Sequence, residues 1–181
     1  MNKSFLTVKE AATGAVFLAL ITAGAYIAIP VGPVPFVLQN FFIMVAALVL
    51  PVRVLIVVML SYLAAGALGL PVFSGGKGGI AHFAGPTAGY LLAYLPAAVG
   101  AAIISRAIPV KYLSSAIALI FFNALVYGAG VAWLGNINPG FGWAKAVAVG
   151  FTPFIIPDLF KTAAAVLTAA IVNPLLARSR R

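Results

Sequence analysis

An acidic and a basic residue lie three positions apart within one of the most apolar segments of the chain. Asp158 and Lys161 share a face if this segment is helical, because residues at i and i+3 are neighbours on a helix surface. A charge at bilayer depth costs about 2.5–3.5 kcal/mol on insertion scales, so such residues usually face a bundle interior or a cavity. The pair is therefore a candidate site for binding a polar solute. A purely structural salt bridge is the alternative.

Three apolar segments carry further polar side chains that could join this site. Gln39 and Asn40 place two amides at the start of one segment, where amides are often only interfacial. Tyr90 and Tyr94 offer one aromatic face with two hydroxyls, or they belong to an interfacial tyrosine belt. Asn123 could contact a ligand, although a lone membrane asparagine more often bonds another helix.

A glycine-rich loop, Pro71–Gly79, is another candidate contact for a ligand. Gly76 and Gly78 flank Lys77, and glycines let a backbone turn sharply and approach a ligand closely. The loop's amides could donate to carboxylate or carbonyl oxygens. It is not a phosphate-binding loop, because Gly78 follows Lys77 where that motif requires Ser or Thr. A flexible outward loop is the alternative interpretation.

These residue types give little support for a metal site or for a hydrolytic active site. The chain has no cysteine, a single histidine, His82, and only two acidic residues, Glu10 and Asp158. A metal cluster needs more ligands than this, so we expect no metal and no cofactor, and we interpret His82 as a loop residue. A membrane enzyme that uses Asp158 as an acid or base is a distant alternative, since no second carboxylate or nucleophile–base pair accompanies it.

Composition places the chain in a membrane. Hydrophobic residues make up 64% of its 181 residues and charged residues only 7%, whereas a soluble domain averages about 25% charged residues. The net charge of +9 does not indicate nucleic-acid binding, because the basic residues are dispersed between apolar segments. We therefore expect one all-α integral membrane domain over residues 1–181.

Six apolar segments predict six transmembrane helices. The first is longer than the roughly 7–15-residue core of a signal peptide, so we expect it to be retained. The second is short and must be tilted, re-entrant or shielded by its neighbours. A short interfacial helix is predicted over Trp143–Gly150. The segments are Ala11–Ile29, Phe36–Leu50, Val54–Leu70, Pro86–Ile104, Leu113–Leu134 and Thr152–Leu176.

The basic residues predict the orientation of the six segments. Both termini share one side, and that side collects eight of the eleven basic residues, while Lys77 and Lys145 lie on the other and Lys161 lies within a segment. An excess of this size predicts cytoplasmic termini. The glycine-rich loop and the Asp158 end of the last segment then both face outward. The eight residues are Lys3, Lys9, Arg53, Arg106, Lys111, Arg178, Arg180 and Arg181.

A stripe of small residues follows the first segment. Its members recur every four positions, and small residues on one stripe let helices approach closely. The stripe either packs inside the chain or presents a flat surface to another subunit. It consists of Ala11, Ala15, Ala19 and Ala23.

Four of these stretches, in this order and spacing, resemble the BioY family, the biotin-binding S components of energy-coupling factor (ECF) transporters. The stretches are Val34–Gln39, Gly69–Gly79, Gly85–Leu91 and Pro157–Lys161. The resemblance covers the chain from about Ala11 to Leu176. The four stretches are specific as a set, although each would be weak alone.

The resemblance implies a non-enzymatic, six-helix subunit of the prokaryotic plasma membrane that captures biotin. It also implies a transmembrane T component and two cytoplasmic ATPases as partners, with the alanine stripe as the T-component surface. Asp158 and Lys161 would contact the ligand, and Lys77 would do so from the glycine-rich loop. Two alternatives stay open: an S component for another small vitamin, and a structural membrane subunit without a ligand.

Overall fold

The computed structural model describes residues 5–137, 140 and 142–178, and most of these residues form α-helices. Lys3, Arg180 and Arg181, which contribute to the predicted orientation, lie outside the described residues, as do positions 138, 139 and 141 between the fifth predicted segment and the predicted interfacial helix. The helices are α1 (Val8–Tyr26), α2 (Gln39–Val49), α3 (Val52–Ala67), α4 (Ala88–Ala107), α5 (Lys111–Ile137), α6 (Gly142–Gly150) and α7 (Ile155–Arg178).

The predicted all-α class is confirmed. Four helical stretches are long and apolar enough to cross a membrane, namely α1, α4, α5 and the α6–α7 stretch up to Leu176, while α2 and α3 are shorter apolar helices. The six predicted segments correspond to α1 to α5 and α7. The predicted interfacial helix corresponds to α6. A short 3-10 turn, Thr152–Phe154, separates α6 from α7.

The short helix α2 lies at the centre of the fold. It packs against α1, α3, α4, α5 and α7, and its residues from Ile43 to Ala47 are at most 3% exposed. A helix that is hydrophobic all round is one that is buried. Of the three explanations offered for its length, shielding by neighbours is therefore the one that the structure supports.

The segment between α1 and α2 departs from prediction. The first predicted helix was extended to Ile29, but α1 ends at Tyr26, and Ala28–Ile29 (β1) pairs antiparallel with Phe36–Val37 (β2). Prolines at 30, 33 and 35 hold this connection extended, because proline cannot continue a helix. The hairpin satisfies backbone groups that the lost helical turn would have paired. It also carries the carbonyl of Val37 toward α7.

The alanine stripe lies on the outer face of α1. Ala11, Ala15, Ala19 and Ala23 are all exposed, whereas Gly14, Phe17, Ile21 and Gly24 on the other side are buried. A Cβ added to Gly14 would lie 3.2 Å from atoms of Val54 and Val58, so glycine lets α1 pack closely on α3. The stripe is therefore not used for packing within the chain.

Candidate functional site

A cavity of about 610 Å³, counting its open mouth, lies among α2, α3, α4, α5 and α7. Pockets for small molecules commonly combine apolar walls with a few polar groups. Aromatic side chains supply much of the wall: Tyr62, Phe73, Tyr90, Tyr94, Tyr127 and Phe154. The polar lining comprises Gln39, Asn40, Ser74, His82, Thr87 and Lys161.

Lys161 reaches the cavity at the centre of a polar cluster. Its Nζ donates to Asp158 Oδ1 at 2.8 Å, to the Val37 carbonyl at 2.8 Å and to Asn40 Oδ1 at 3.0 Å. It also lies 3.8 Å from the centroid of the Phe36 ring. A lysine ammonium has three protons, so these acceptors account for all of them. The ammonium is thereby fixed in one position at the cavity wall.

Asp158 stands behind Lys161 and outside the cavity lining. Its Oδ2 accepts from Asn40 Nδ2 at 2.8 Å and from the Tyr127 hydroxyl at 2.5 Å. The two charged residues are 4% and 7% exposed, respectively. A buried ion pair offsets its desolvation only when geometry is good and the remaining lone pairs are bonded. Both conditions hold here, so the pair is a satisfied unit that joins α2, α5 and α7.

Local sequence explains why α2 begins at this cluster. The Leu38 amide donates to the carbonyls of Gly24 and Ile27, at 3.2 Å each. A Cβ on Gly24 would lie 3.0 Å from the Gln39 backbone and 2.7 Å from the Phe42 ring. Glycine at position 24 thus permits the close approach that turns the first residues of α2 toward α7. Pro157 falls in the first turn of α7, where a missing amide proton costs little.

Gln39 contributes the one buried side-chain donor without a hydrogen-bond partner among the described residues. Its Nε2 is unpaired while the residue is only 3% exposed and lines the cavity. A buried polar group without a partner costs about 1–3 kcal/mol. An acceptor atom of a ligand in the cavity would relieve that cost. Gln39 is therefore positioned to bind a carbonyl or carboxylate oxygen.

Tyr90 forms the wall between α4, α5 and α6. Its hydroxyl donates to the Gly150 carbonyl at 2.9 Å, and its ring meets that of Tyr127 edge-on at 6.2 Å. A Cβ on Gly130 would lie 2.2 Å from the Tyr90 ring. The ring is therefore seated in a notch of α5 that only glycine leaves open, and it offers its apolar surface to the cavity.

The glycine-rich loop closes over the cavity through Phe73. This side chain is 1% exposed and stacks on His82, with ring centroids 5.3 Å apart. The backbone amides of 75, 76, 77 and 79 donate to carbonyls of the protein itself. These amides were expected to be able to donate to a ligand, but in this structure they donate to carbonyls within the protein. A Cβ on Gly78 would lie 2.2 Å from the Leu70 carbonyl oxygen, so this glycine allows tight folding of the loop.

The structure brings some of the predicted site residues together and leaves others apart. Gln39, Tyr90 and Lys161 line the cavity, with Asp158 directly behind. Gly76, Lys77 and Gly78 belong to the covering loop and do not line the cavity. Asn123 also lies outside the lining, and its Nδ2 donates to Leu119 O and Thr162 Oγ1, each at 3.0 Å.

Sequence reasoning passed over several residues that the structure places at the cavity. Asn40 was noted as an amide at the start of an apolar segment, but its partner Asp158, which Tyr127 shares, could not be inferred. His82 was interpreted as an ordinary loop residue, yet it lines the cavity. In the sequence, Phe154 could not be distinguished from the many apolar residues around it. A polar side chain within an apolar segment was the one available indicator, and among these residues it had singled out Asn40.

Comparison with known proteins gives a consistent result. The sequence model of the BioY family matches residues 1–178. The chain is 43% identical over 161 residues to a probable biotin transporter BioY of Pyrococcus horikoshii, covering 89% of this chain and 94% of that protein. It is 40% identical over 159 residues to the biotin transporter BioY of Thermotoga maritima, covering 85% and 89%, respectively.

A solved structure resembles the fold over nearly its whole length. It is the crystal structure of the S-component for biotin from an ECF-type ABC transporter. The two structures superpose with a TM-score of 0.82 at 30% sequence identity, covering 94% of this chain and 92% of the other.

Proposed function

This chain belongs to the BioY family, and from that premise we propose that it is the biotin-binding S component of an ECF importer. It captures biotin with high affinity from outside the cell and is a transport subunit, not an enzyme. The 43% and 40% identical relatives are named biotin transporters, and the superposed structure is an S-component for biotin. The observation in this chain that carries the proposal is the cavity with the unpaired amide of Gln39 beside Lys161.

The chemistry of biotin matches the lining of the cavity. Biotin has a ureido ring with one carbonyl and two N–H groups, an apolar thiophane and an apolar chain that ends in a carboxylate. Gln39 Nε2 donates to the ureido carbonyl, which supplies its missing partner. Lys161, with Asp158 behind it, holds Asn40 in place beside the ureido ring, and Asn40 Oδ1 already accepts from Lys161 and from the Phe41 amide. The rings of Phe73 and Tyr90 pack on the thiophane.

The glycine-rich loop acts at the entrance in this proposal. Gly76 and Gly78 fold the loop so that Phe73 covers the bound ligand, and Lys77 is exposed beside the mouth. Its positive charge attracts the carboxylate of an approaching biotin. Asn123 supports the site by holding α5 to α7 through its hydrogen bond to Thr162. It contacts the ligand only if that hydrogen bond is replaced by one to the ligand.

We place the protein in the plasma membrane of a prokaryotic cell as a single domain of six spans with cytoplasmic termini. The support is the apolar character of α1 to α5 and α7 together with the distribution of basic residues. The cavity, Lys77 and the start of α7 then face outward. The partners are a T component, which packs on the exposed alanine stripe of α1, and two cytoplasmic ATPases, which supply the energy for release.

Calorimetric titration of the purified protein with biotin tests this function. We expect saturable binding with one site per chain, and mass spectrometry of the purified protein should find biotin carried through. The nearest alternative is a different small vitamin, because the lining would also suit other cyclic ureides and amides. A competition panel in which another vitamin displaces biotin, or binds where biotin does not, would favour that alternative and overturn the proposal.

A further inference from the structure

The polar side chains of the cavity come from two separate parts of the fold. Gln39, Asn40 and Lys161 belong to the starts of α2 and α7. Ser74, His82 and Thr87 belong to the segment between α3 and α4. The first group contains the unpaired amide and the lysine of the ion pair. The second group contains hydroxyls and an imidazole, and nothing described so far uses it.

The backbone around His82 is firmly placed. The amide of Gly79, with φ of +99°, donates to the Gly66 carbonyl at 2.7 Å, and the amide of His82 donates to the Gly79 carbonyl at 3.1 Å. The imidazole stacks on the buried ring of Phe73 with an interplanar angle of 17°. The ring therefore has a defined orientation on the cavity wall, and Phe73 holds it there.

The ring nitrogens of His82 are free to bind a ligand. The described part of the chain makes no hydrogen bond to them, nor to the hydroxyls of Ser74 and Thr87. Both acidic side chains of the sequence are engaged elsewhere, Glu10 with Arg53 and Asp158 with Lys161. A histidine cation at this place would thus have no carboxylate of the protein to pair with. The group has the donors that an anion requires.

We propose that His82, with the hydroxyls of Ser74 and Thr87, binds the carboxylate end of the ligand and makes its capture pH-dependent. This inference rests on the proposed function, because it takes the ligand to be biotin. Biotin then lies with its ureido ring at Gln39 and its carboxylate beneath the glycine-rich loop. Lys77 guides the anion inward, and His82 is the residue that contacts it.

The sign of the pH effect follows from the charges around the imidazole. Burial and then the nearby charge of Lys77 lower the pKa of His82 below its usual value of 6.5. A bound carboxylate stabilises the imidazolium and therefore raises that pKa again. Binding thus takes up a proton, and affinity increases as the pH falls through the interval between the two values. The effect ends once the ligand carboxylate itself becomes protonated.

Other titratable groups face this part of the cavity. They are Lys77 of the loop, Tyr62 of α3, Tyr90 and Tyr94 of α4, and Tyr127 with the Asp158–Lys161 pair across the cavity. Ordinary lysine and tyrosine side chains keep one charge state between about pH 5.5 and pH 8. Asp158 is common to every variant used below, so a contribution from it would persist when His82 is replaced.

Calorimetric affinities for biotin and for biotinamide, which lacks the carboxylate charge, test the proposal at about pH 5.5 and about pH 8. For the unaltered protein we expect biotin affinity to be about fivefold higher at the lower pH, because protonation of His82 turns a neutral hydrogen bond to the carboxylate into a charge-assisted one. Biotinamide affinity should change by less than about twofold. His82→Gln keeps a donor but cannot titrate, and His82→Phe keeps the stack on Phe73 without a donor.

His82→Gln should abolish the pH dependence, and His82→Phe should weaken biotin about tenfold at the lower pH while sparing biotinamide. Retained biotinamide binding shows that each variant is folded. Lys77→Gln should move the pH dependence to higher pH, because it removes a charge that lowers the pKa of His82. An unchanged pH dependence in His82→Gln would overturn the inference. Failure of the unaltered protein to bind either ligand would instead overturn the proposed function.

Discussion

Two variants, one that lacks a single charge of the buried ion pair and one that lacks both, distinguish a role of the pair in protein stability from a role in ligand binding. In Lys161→Met the Asp158 carboxylate stays buried with only Asn40 and Tyr127 as donors. Breaking a buried ion pair by removing one partner costs about 3–5 kcal/mol. For a chain of 150–250 residues, 1 kcal/mol shifts the melting temperature by about 2–4 °C. We therefore expect Lys161→Met to melt about 6–20 °C lower.

The double variant Asp158→Asn/Lys161→Met removes both charges and keeps most of the hydrogen bonds. The new amide oxygen still accepts from Asn40 and Tyr127, and its NH2 group replaces the ammonium as a donor to Asn40 Oδ1. Only the Val37 carbonyl is left without its partner, at a cost of about 1–3 kcal/mol. The double variant should thus regain much of the stability that the single variant loses.

Affinity is expected to behave differently from stability. Asp158→Asn alone should weaken biotin binding about tenfold or more, because it removes the charge-assisted hydrogen bond that fixes Lys161 at the cavity wall, and such a bond contributes about 1.5–3 kcal/mol. The double variant should bind no better than Asp158→Asn, because it also lacks the ammonium that holds the Val37 carbonyl at the cavity wall. Thermal unfolding in detergent and calorimetric titration give the two readouts. If the double variant bound biotin like the unaltered protein, the pair would be structural only and the reasoning would be refuted.

Two further predictions concern packing and assembly. Gly130→Ala should press on the Tyr90 ring, which lies 2.2 Å from the added Cβ, and weaken biotin binding in calorimetry, whereas Gly128→Ala meets open space and should leave affinity unchanged. Ala15→Phe on the exposed stripe should abolish co-purification with the T component while biotin binding persists. The adjacent Val16→Phe, on an exposed position off the stripe, should leave both intact, and loss of assembly in both variants would argue against a role specific to the stripe.

Local pattern was sufficient to predict the helices and the ion pair. Asp158 and Lys161 are the acid and base placed where lipid would otherwise surround them, and their spacing alone predicts a shared helix face. The short length of α2 also signalled something unusual, and its buried position explains it. These features are encoded within a few residues of one another. They therefore do not depend on how distant parts of the chain meet.

Features that depend on distant contacts could not be predicted in the same way. Asn40 and Asp158 are 118 positions apart, and nothing near either residue indicates the other. The hairpin of β1 and β2 was mistaken for helix because Ile27 to Ile29 are as apolar as the preceding turns. His82 was overlooked because its position on the cavity wall is set by the stack on Phe73. Each of these outcomes follows from packing between elements.

The cluster around Lys161 constrains how any ligand can be recognised. All three ammonium protons and both carboxylate oxygens already have partners inside the protein. A ligand gains little by competing for them, because each exchange breaks one good hydrogen bond to form another. Gln39 is different, since its unpaired amide gains a partner only when the cavity is filled. The net free energy of polar recognition should therefore come from Gln39, while the ion pair contributes by holding Asn40 and the Val37 carbonyl in the positions that fit the ligand.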